Sequence, residues 1–285
     1  MPHRLQALIA EYDATAPLDR SWTIPASWYR EQQVAQAERK SVFGCSWQCI
    51  GGIDQLSRPG QFVTADVAGE PVVAVRGNDG RLRAFFNVCR HHAAAVVPQA
   101  CGSAELLRCP YHGWTYGLDG TLKGAPDFAG VQDFNPETNG LIPVQVEQWE
   151  QFVFVNLCRT MPSVRDFFGG FADRASSLEL GKLRFVQRRT YELRCNWKVF
   201  VDNYLDGGYH VPYVHKGLNS VLDYRQYAIE VAGRGCLQSS PVESAAANDT
   251  AVGETRRGAA YTSGFIPTSC STGMKACSTP TWYFR

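Results

Sequence analysis

At 285 residues with 45% hydrophobic content, the chain has room for one large or two ordinary domains and a sizeable core. A formal net charge of +1 argues against nucleic acid or an anionic membrane surface as partner. No apolar run approaches a membrane span, and the acidic residues of MPHRLQALIAEYDATAPLDR do not suit a secretion or import signal, so a reducing cytoplasm is expected.

In chain order, residues 4–12 carry apolar residues at helical spacing. WTIPASWYR (22–30) reads as extended because of Pro25, and residues 29–43 as a second helix with one polar side. From Ser46 the period becomes that of strands: WQCIGGI, QFVTADVAG and PVVAVRG, then Asn78-Asp79-Gly80 as a hairpin turn before RLRAFFNV. Tyr116-Gly117-Leu118-Asp119-Gly120 is another turn, and Val144–Val155 supplies closing strands. The reading is a helical segment at 1–40 and an antiparallel β domain at 41–160. A different region follows Met161-Pro162. Its residues 167–180 form loop and short helix, and 183–195 (LRFVQRRTYELRC) one or two strands.

The informative stretch of the β domain is CRHHAAAVVPQACGSAELLRCPYHGW, residues 89–114. It holds Cys89-x-His91 and Cys109-x-x-His112, with seventeen residues between the pairs. Each pair offers one thiolate and one imidazole. Two Cys on one iron and two His on the other is the ligand set of a Rieske [2Fe–2S] centre. A structural zinc site uses the same ligand types, although zinc fingers keep like ligands together on each arm. Of the ten cysteines, Cys45 and Cys49 read as buried thiols, and Cys101 is the spare one nearest the cluster arms.

Further on, Asn196-Trp197-Lys198 precedes VFVDNYLDGGYHVPYVHKGLNS, which contains His210 and His215. Five residues of regular helix turn through about 140° beyond a full circle, so the two rings would not share a face. Gly207-Gly208 and Pro212 supply an irregularity able to bring them together, and Asp206 lies one turn before His210; taken in isolation, the pair reads equally as two histidines satisfied by hydrogen bonds near a helix end. Tyr204, Tyr209 and Tyr213 read as packing around this helix.

The Cys-His motif with Gly113-Trp114, followed by Asn-Trp-Lys and by N-Y-x-D-x-x-Y-H-x4-H, resembles the α subunit of the Rieske non-haem iron oxygenases. CPYHGWTYGLDG and NYLDGGYHVPYVHK are most similar to its choline monooxygenase branch. The resemblance covers roughly residues 20–235. It implies an α+β chain in which an all-β Rieske [2Fe–2S] domain precedes a helix-grip catalytic domain. Cys89, His91, Cys109 and His112 would hold the cluster, and His210 and His215 a mononuclear Fe(II) with one carboxylate. Asp206 matches the acidic residue that links one subunit's cluster to its neighbour's iron, which implies a homotrimer. The resemblance also implies O₂ and a small substrate, here a quaternary amine such as choline, and a reductase or ferredoxin as electron donor.

The tail departs from that pattern. In the family, the third iron ligand, an Asp or Glu, lies well beyond the second His, so the catalytic domain at 161–262 reads as incomplete. Residues 263–285 become rich in Ser, Thr and Cys. With suitably chosen codons a shifted frame spells WVYPNFMLNRYEGMLDTNLVLP, which has the missing strand pattern. The tail therefore reads as a frameshift product, and the 285-residue chain as aggregation-prone and inactive in hydroxylation. Three functions compete: an oxygenase α subunit or broken copy of one, a stand-alone Rieske electron carrier, and a zinc-stapled binding module. An aromatic-ring-hydroxylating dioxygenase is the alternative within the first.

Overall fold

Residues 70–76 contain Val72-Val73-Ala74-Val75, four apolar residues in a row, and all four are buried. Successive side chains of a strand point to opposite faces. A strand without polar alternates therefore needs protein on both sides. It has it: Val73 and Val75 enter one core with Cys89, Cys109, Trp114 and Tyr116, while Val72 and Ala74 enter another with Ile50, Val63 and Val153.

The computed structural model describes residues 2–206, 208–220, 222–232 and 235–241, together with the backbone of 260–264, 270–271 and 276–283. Its main sheet contains β1 (Gln48–Gly52), β2 (Gln61–Val67), β3 (Glu70–Arg76), β4 (Leu82–Phe86) and β5 (Cys101–Ser103). A small sheet contains β6 (Leu107–Arg108), β7 (Thr115–Tyr116) and β8 (Leu122–Gly124); β9 (Pro143–Trp149) and β10 (Phe152–Asn156) then return to the main one. The main order is β1-β10-β9-β4-β3-β2-β5, antiparallel throughout, with β6-β7-β8 set apart. The β3–β4 turn is the one expected: Gly80 sits at φ +76°, and Asp79 accepts from the Arg81 amide. The outer face of β1 and β10 is covered by α4 (Val164–Phe168) and α5 (Gly170–Ala175), through Phe168 and Phe171 against Trp47 and Phe154.

The N-terminal segment differs from its reading. Helix α1 (Pro2–Ala10) is present, but 22–30 is not all extended. Pro25 stands at the N-cap of helix α2 (Ala26–Arg30), where its missing N–H costs nothing. The helix expected over 29–43 is interrupted at Glu31 and resumes as α3 (Gln32–Glu38), closing in a π-turn, Arg39–Phe43. Cys45 is also a correction. It is no free thiol but is bonded to Cys158, just past β10, while Cys49 is the buried thiol expected.

These helices belong physically with the second half of the chain. There, α6 (Trp197–Leu205) is N-capped by Asn196, whose side chain accepts from the Lys198 amide at 3.0 Å. Glu38 accepts from Lys198 Nζ at 2.6 Å and from Trp197 Nε1 at 2.9 Å, and Phe43 packs edge-on against Trp197. Asn196 Nδ2 donates to the Tyr29 carbonyl, and Tyr29 Oη to Asp202. The Asn-Trp-Lys motif is thus the socket of the N-terminal helices. Strand β11 (Arg184–Tyr191) bonds the β domain directly: its Phe185 amide donates to Asp54 and its Arg188 to the Ile50 carbonyl.

Beyond α6 come α7 (Val211–Val214), α8 (Lys216–Asn219) and an antiparallel sheet of β12 (Ala228–Ala232), β13 (Gly235–Ser240) and β14 (Ala260–Gly264). The tail, whose sequence lacks strand alternation, has β15 (Cys270–Ser271) and β16 (Ala276–Tyr283) in its backbone, the latter paired with β11. Backbone pairing needs no side-chain alternation. The remainder of the tail lies outside the described residues.

Candidate metal sites

The two Cys-His pairs sit on two copies of one backbone turn. In the first, the Cys89 amide donates to Ala94 O at 2.8 Å and the Ala93 amide to Cys89 O at 3.0 Å. In the second, the Cys109 amide donates to Trp114 O at 2.8 Å and the Gly113 amide to Cys109 O at 3.1 Å. The turn needs a left-handed fifth residue, and Gly113 (φ +74°) and Ala93 (φ +59°) occupy it. Alanine is strained there, glycine is not. Ala93→Gly is therefore expected to raise the unfolding free energy by about 0.5–1 kcal/mol, strain relief outweighing the added chain entropy. Urea denaturation of the two chains measures it.

Each turn puts its cysteine inside and its histidine at the tip. Cys89 and Cys109 are 4% and 2% exposed within the first core, whereas His91 is half-buried and His112 exposed. The His91 and His112 rings lie 4.9 Å apart, and Trp114 stacks on His91, its plane within 4°. His92 joins them, so three imidazoles approach within 4.8 Å of one another. Burial, then the neighbouring His92 and His112, hold the His91 pKa below its ordinary value, which favours the neutral, ligating ring.

This donor set fits a two-iron cluster. Two soft thiols lie inside, two imidazoles lie toward solvent, and His91 Nδ1 is buried with no hydrogen-bond partner, an orphan that a metal would satisfy. Tyr116 completes the surroundings, and its sequence context suggested only a turn. Its hydroxyl accepts from the Arg90 amide at 2.9 Å, which leaves its proton for Cys89 Sγ at 3.3 Å. A hydrogen bond to a ligand sulfur stabilises the more negative, reduced cluster. Tyr116→Phe is expected to lower the cluster's reduction potential by on the order of 50 mV, with 59 mV per tenfold for one electron. Spectroelectrochemical titration reads the shift.

The second group surrounds a break in the helix. Helix α6 ends at Leu205 and Gly208 turns at φ +72°. The single turn α7 then starts from His210, with Pro212 in its first turn, and ends at His215. The two histidines thus flank one short turn, with ring centroids 4.9 Å apart. Asp206 Oδ2 lies 2.6 Å from His210 Nδ1, and Asp206 Oδ1 accepts from the Gly208 amide. A carboxylate at Nδ1 leaves Nε2 of His210 for a metal. The two rings thereby offer a pair of imidazole donors close to one another. Among the described residues no carboxylate joins them as a third, and Asp202 is occupied by Tyr29. Tyr209 and Tyr213 do not pack around the helix: they are 74% and 82% exposed. The Tyr204 side chain lies outside the described residues.

Residues 46–135 match the Rieske [2Fe-2S] domain, and residues 180–264 match the ring hydroxylating alpha subunit catalytic domain. The chain belongs to the Rieske oxygenase α-subunit family. Its metals are a [2Fe–2S] cluster and a mononuclear iron. It is 36% identical over 245 residues to the chloroplastic choline monooxygenase of Arabidopsis thaliana, covering 82% of this chain and 58% of that protein. The chain therefore spans little more than half the length of that relative. Among solved structures it resembles a quaternary ammonium Rieske monooxygenase described in terms of carnitine oxidation and inter-subunit electron transfer. That likeness has a TM-score of 0.74 at 34% identity, over 79% of this chain and 62% of the other. Naphthalene 1,2-dioxygenase with bound indole is similar with a TM-score of 0.63 at 26% identity, over 75% and 52%.

Proposed function

We propose that the chain is the oxygenase component of a Rieske system that hydroxylates or demethylates a small quaternary amine such as choline. Cys89 and Cys109 hold one iron of the cluster, His91 and His112 the other, and His210 and His215 bind the mononuclear iron. The observation that carries this reading is Asp206 against His210 at 2.6 Å. A carboxylate that orients one imidazole of a close pair serves a metal site and has no use in a stand-alone electron carrier. When bound, the cluster supplies single electrons and the iron activates O₂. Within the chain, Tyr116 holds Cys89 Sγ, Trp114 fixes the plane of His91, and Asp206 keeps the Nδ1 proton of His210.

Asp206 also links the cluster of one subunit to the iron of its neighbour, in a homotrimer supplied by a reductase or ferredoxin. The inter-subunit electron transfer described for the quaternary ammonium monooxygenase supports this part. The choline and carnitine chemistry of the relatives supports the amine, and the likeness to naphthalene dioxygenase supports the aromatic alternative. The working division is 1–40, 41–160, 161–262 and 263–285, with the third iron ligand absent from the frame as it stands. The setting is cytoplasmic, and among the described residues no helix is long and apolar enough to cross a membrane.

Iron reconstitution of two chains, with reductase and O₂, tests the reading: the 285-residue chain and one restored to the alternative frame after codon 262. The first is expected to assemble the cluster and take up no substrate-dependent O₂, the second to take up O₂ with choline or carnitine and not with naphthalene. Uptake by the first places every ligand within it and overturns the frameshift. Uptake by the second with naphthalene alone overturns the amine. In the restored chain Asp206→Asn is expected to keep both metals and slow single-turnover oxidation of the reduced cluster by about 100-fold, the upper range for loss of a ligand-orienting group.

A further inference from the structure

Cys45 and Cys158, both half-buried, stand at the two ends of the Rieske half and are joined across 113 residues of sequence, with Cα atoms 5.1 Å apart. That separation suits a disulfide. The backbone has already brought the ends together: the Leu157 amide donates to Gly44 O at 3.2 Å, and the Cys158 amide to Asn156 Oδ1 at 2.8 Å. On the N-terminal side, Cys45 follows directly on the helix whose Glu38 and Phe43 hold Trp197 and Lys198. The pair therefore fastens the far end of that helix to the β domain while its middle is fastened to α6.

We propose that Cys45 and Cys158 are a redox-modifiable pair, a dithiol under reducing conditions and a disulfide under oxidising ones, that sets how firmly the N-terminal helix is clamped between the Rieske domain and α6. The oxidant is a low-molecular-weight disulfide such as oxidised glutathione. One cysteine thiolate attacks it, its S–S bond breaks, and one glutathione thiolate leaves. The second cysteine then attacks the protein sulfur of the mixed disulfide and expels the other glutathione. Two protein thiols and one oxidised glutathione become one protein disulfide and two reduced glutathiones. Neither cysteine is fully buried, which leaves room for the attack. Cys49 nearby is a poor competitor, since burial pushes its thiol up to about 12.

The full 285-residue chain is equilibrated with glutathione at graded ratios, its free thiols are alkylated, and disulfide peptides are mapped by mass. The Cys45–Cys158 peptide is expected to rise and fall reversibly. The oxidised chain should melt higher by on the order of 5–10 °C, because a long loop is closed. Trypsin should cut it after Arg39 and Lys40 about fivefold more slowly, as local opening of that helix is suppressed. Cys45→Ser should match the reduced chain at every ratio, and Cys101→Ser should respond like the parent. Absence of the Cys45–Cys158 peptide at all ratios overturns the proposal. So does a linked chain cut as fast as the fully reduced one, a comparison that stands even where Cys45→Ser fails to fold.

Discussion

Lys198→Met lowers the unfolding free energy by about 3–5 kcal/mol, the cost of leaving one member of a buried ion pair without its partner. The side chains of Lys198 and Glu38 are 7% and 11% exposed, and their atoms are 2.6 Å apart. Once the ammonium is gone, Trp197 Nε1 remains as a single neutral donor to a charge that water no longer reaches. Glu38→Gln is expected to cost less, because the amide oxygen still accepts. The double change Glu38→Met with Lys198→Met should return to within about 2 kcal/mol of the parent, since no charge is then stranded. Urea denaturation of the parent, the singles Lys198→Met, Glu38→Met and Glu38→Gln, and the double decides it. A double variant as unstable as the sum of its singles would show that the pair is not coupled. The exposed pair of Arg83 with Asp79 serves as control, and its removal is expected to change stability little despite good geometry.

Cys109→Ser is expected to reduce cluster content to under about a tenth of the parent, since a serine oxygen is a hard, poorly ionised replacement for a thiolate. His112→Cys should behave differently. Four ligands remain, and the added thiolate donates charge to the outer iron, moving the centre toward the all-cysteine type and lowering its potential by on the order of 100–300 mV. Iron and acid-labile sulfide analysis reads the first, and a redox titration followed in the visible reads the second. An unchanged potential in a fully loaded His112→Cys chain would remove His112 from the ligand set.

Much of this was legible in the residues because the signals were local. Four consecutive apolar residues in β3, the Asn-Asp-Gly turn and the paired cysteines and histidines each carry their meaning within a few positions. The approach of His210 to His215 is legible because glycines and a proline stand where a helix must break, and the structure has a break there. What escaped is what depends on partners far away in sequence. Nothing near Glu38 announces a lysine 160 residues on, nothing near Cys45 announces Cys158, and nothing near Tyr116 announces the Cys89 sulfur. The break after Arg30 escaped for another reason: helical spacing continues across it, and only the extended backbone of Glu31 interrupts it.

The socket formed by Asn196, Trp197 and Lys198 also sets a timetable. The β domain has its own cores and can close as soon as β10 has been made. Helix α3 is synthesised before that domain, yet the groups that hold it arrive 160 residues later. At about 5–20 residues per second, Glu38 waits for Lys198 on the order of 10–30 s. Throughout that interval the helix must be kept from other partners, and a chain released before Lys198 would carry a finished β domain with a loose and sticky leader.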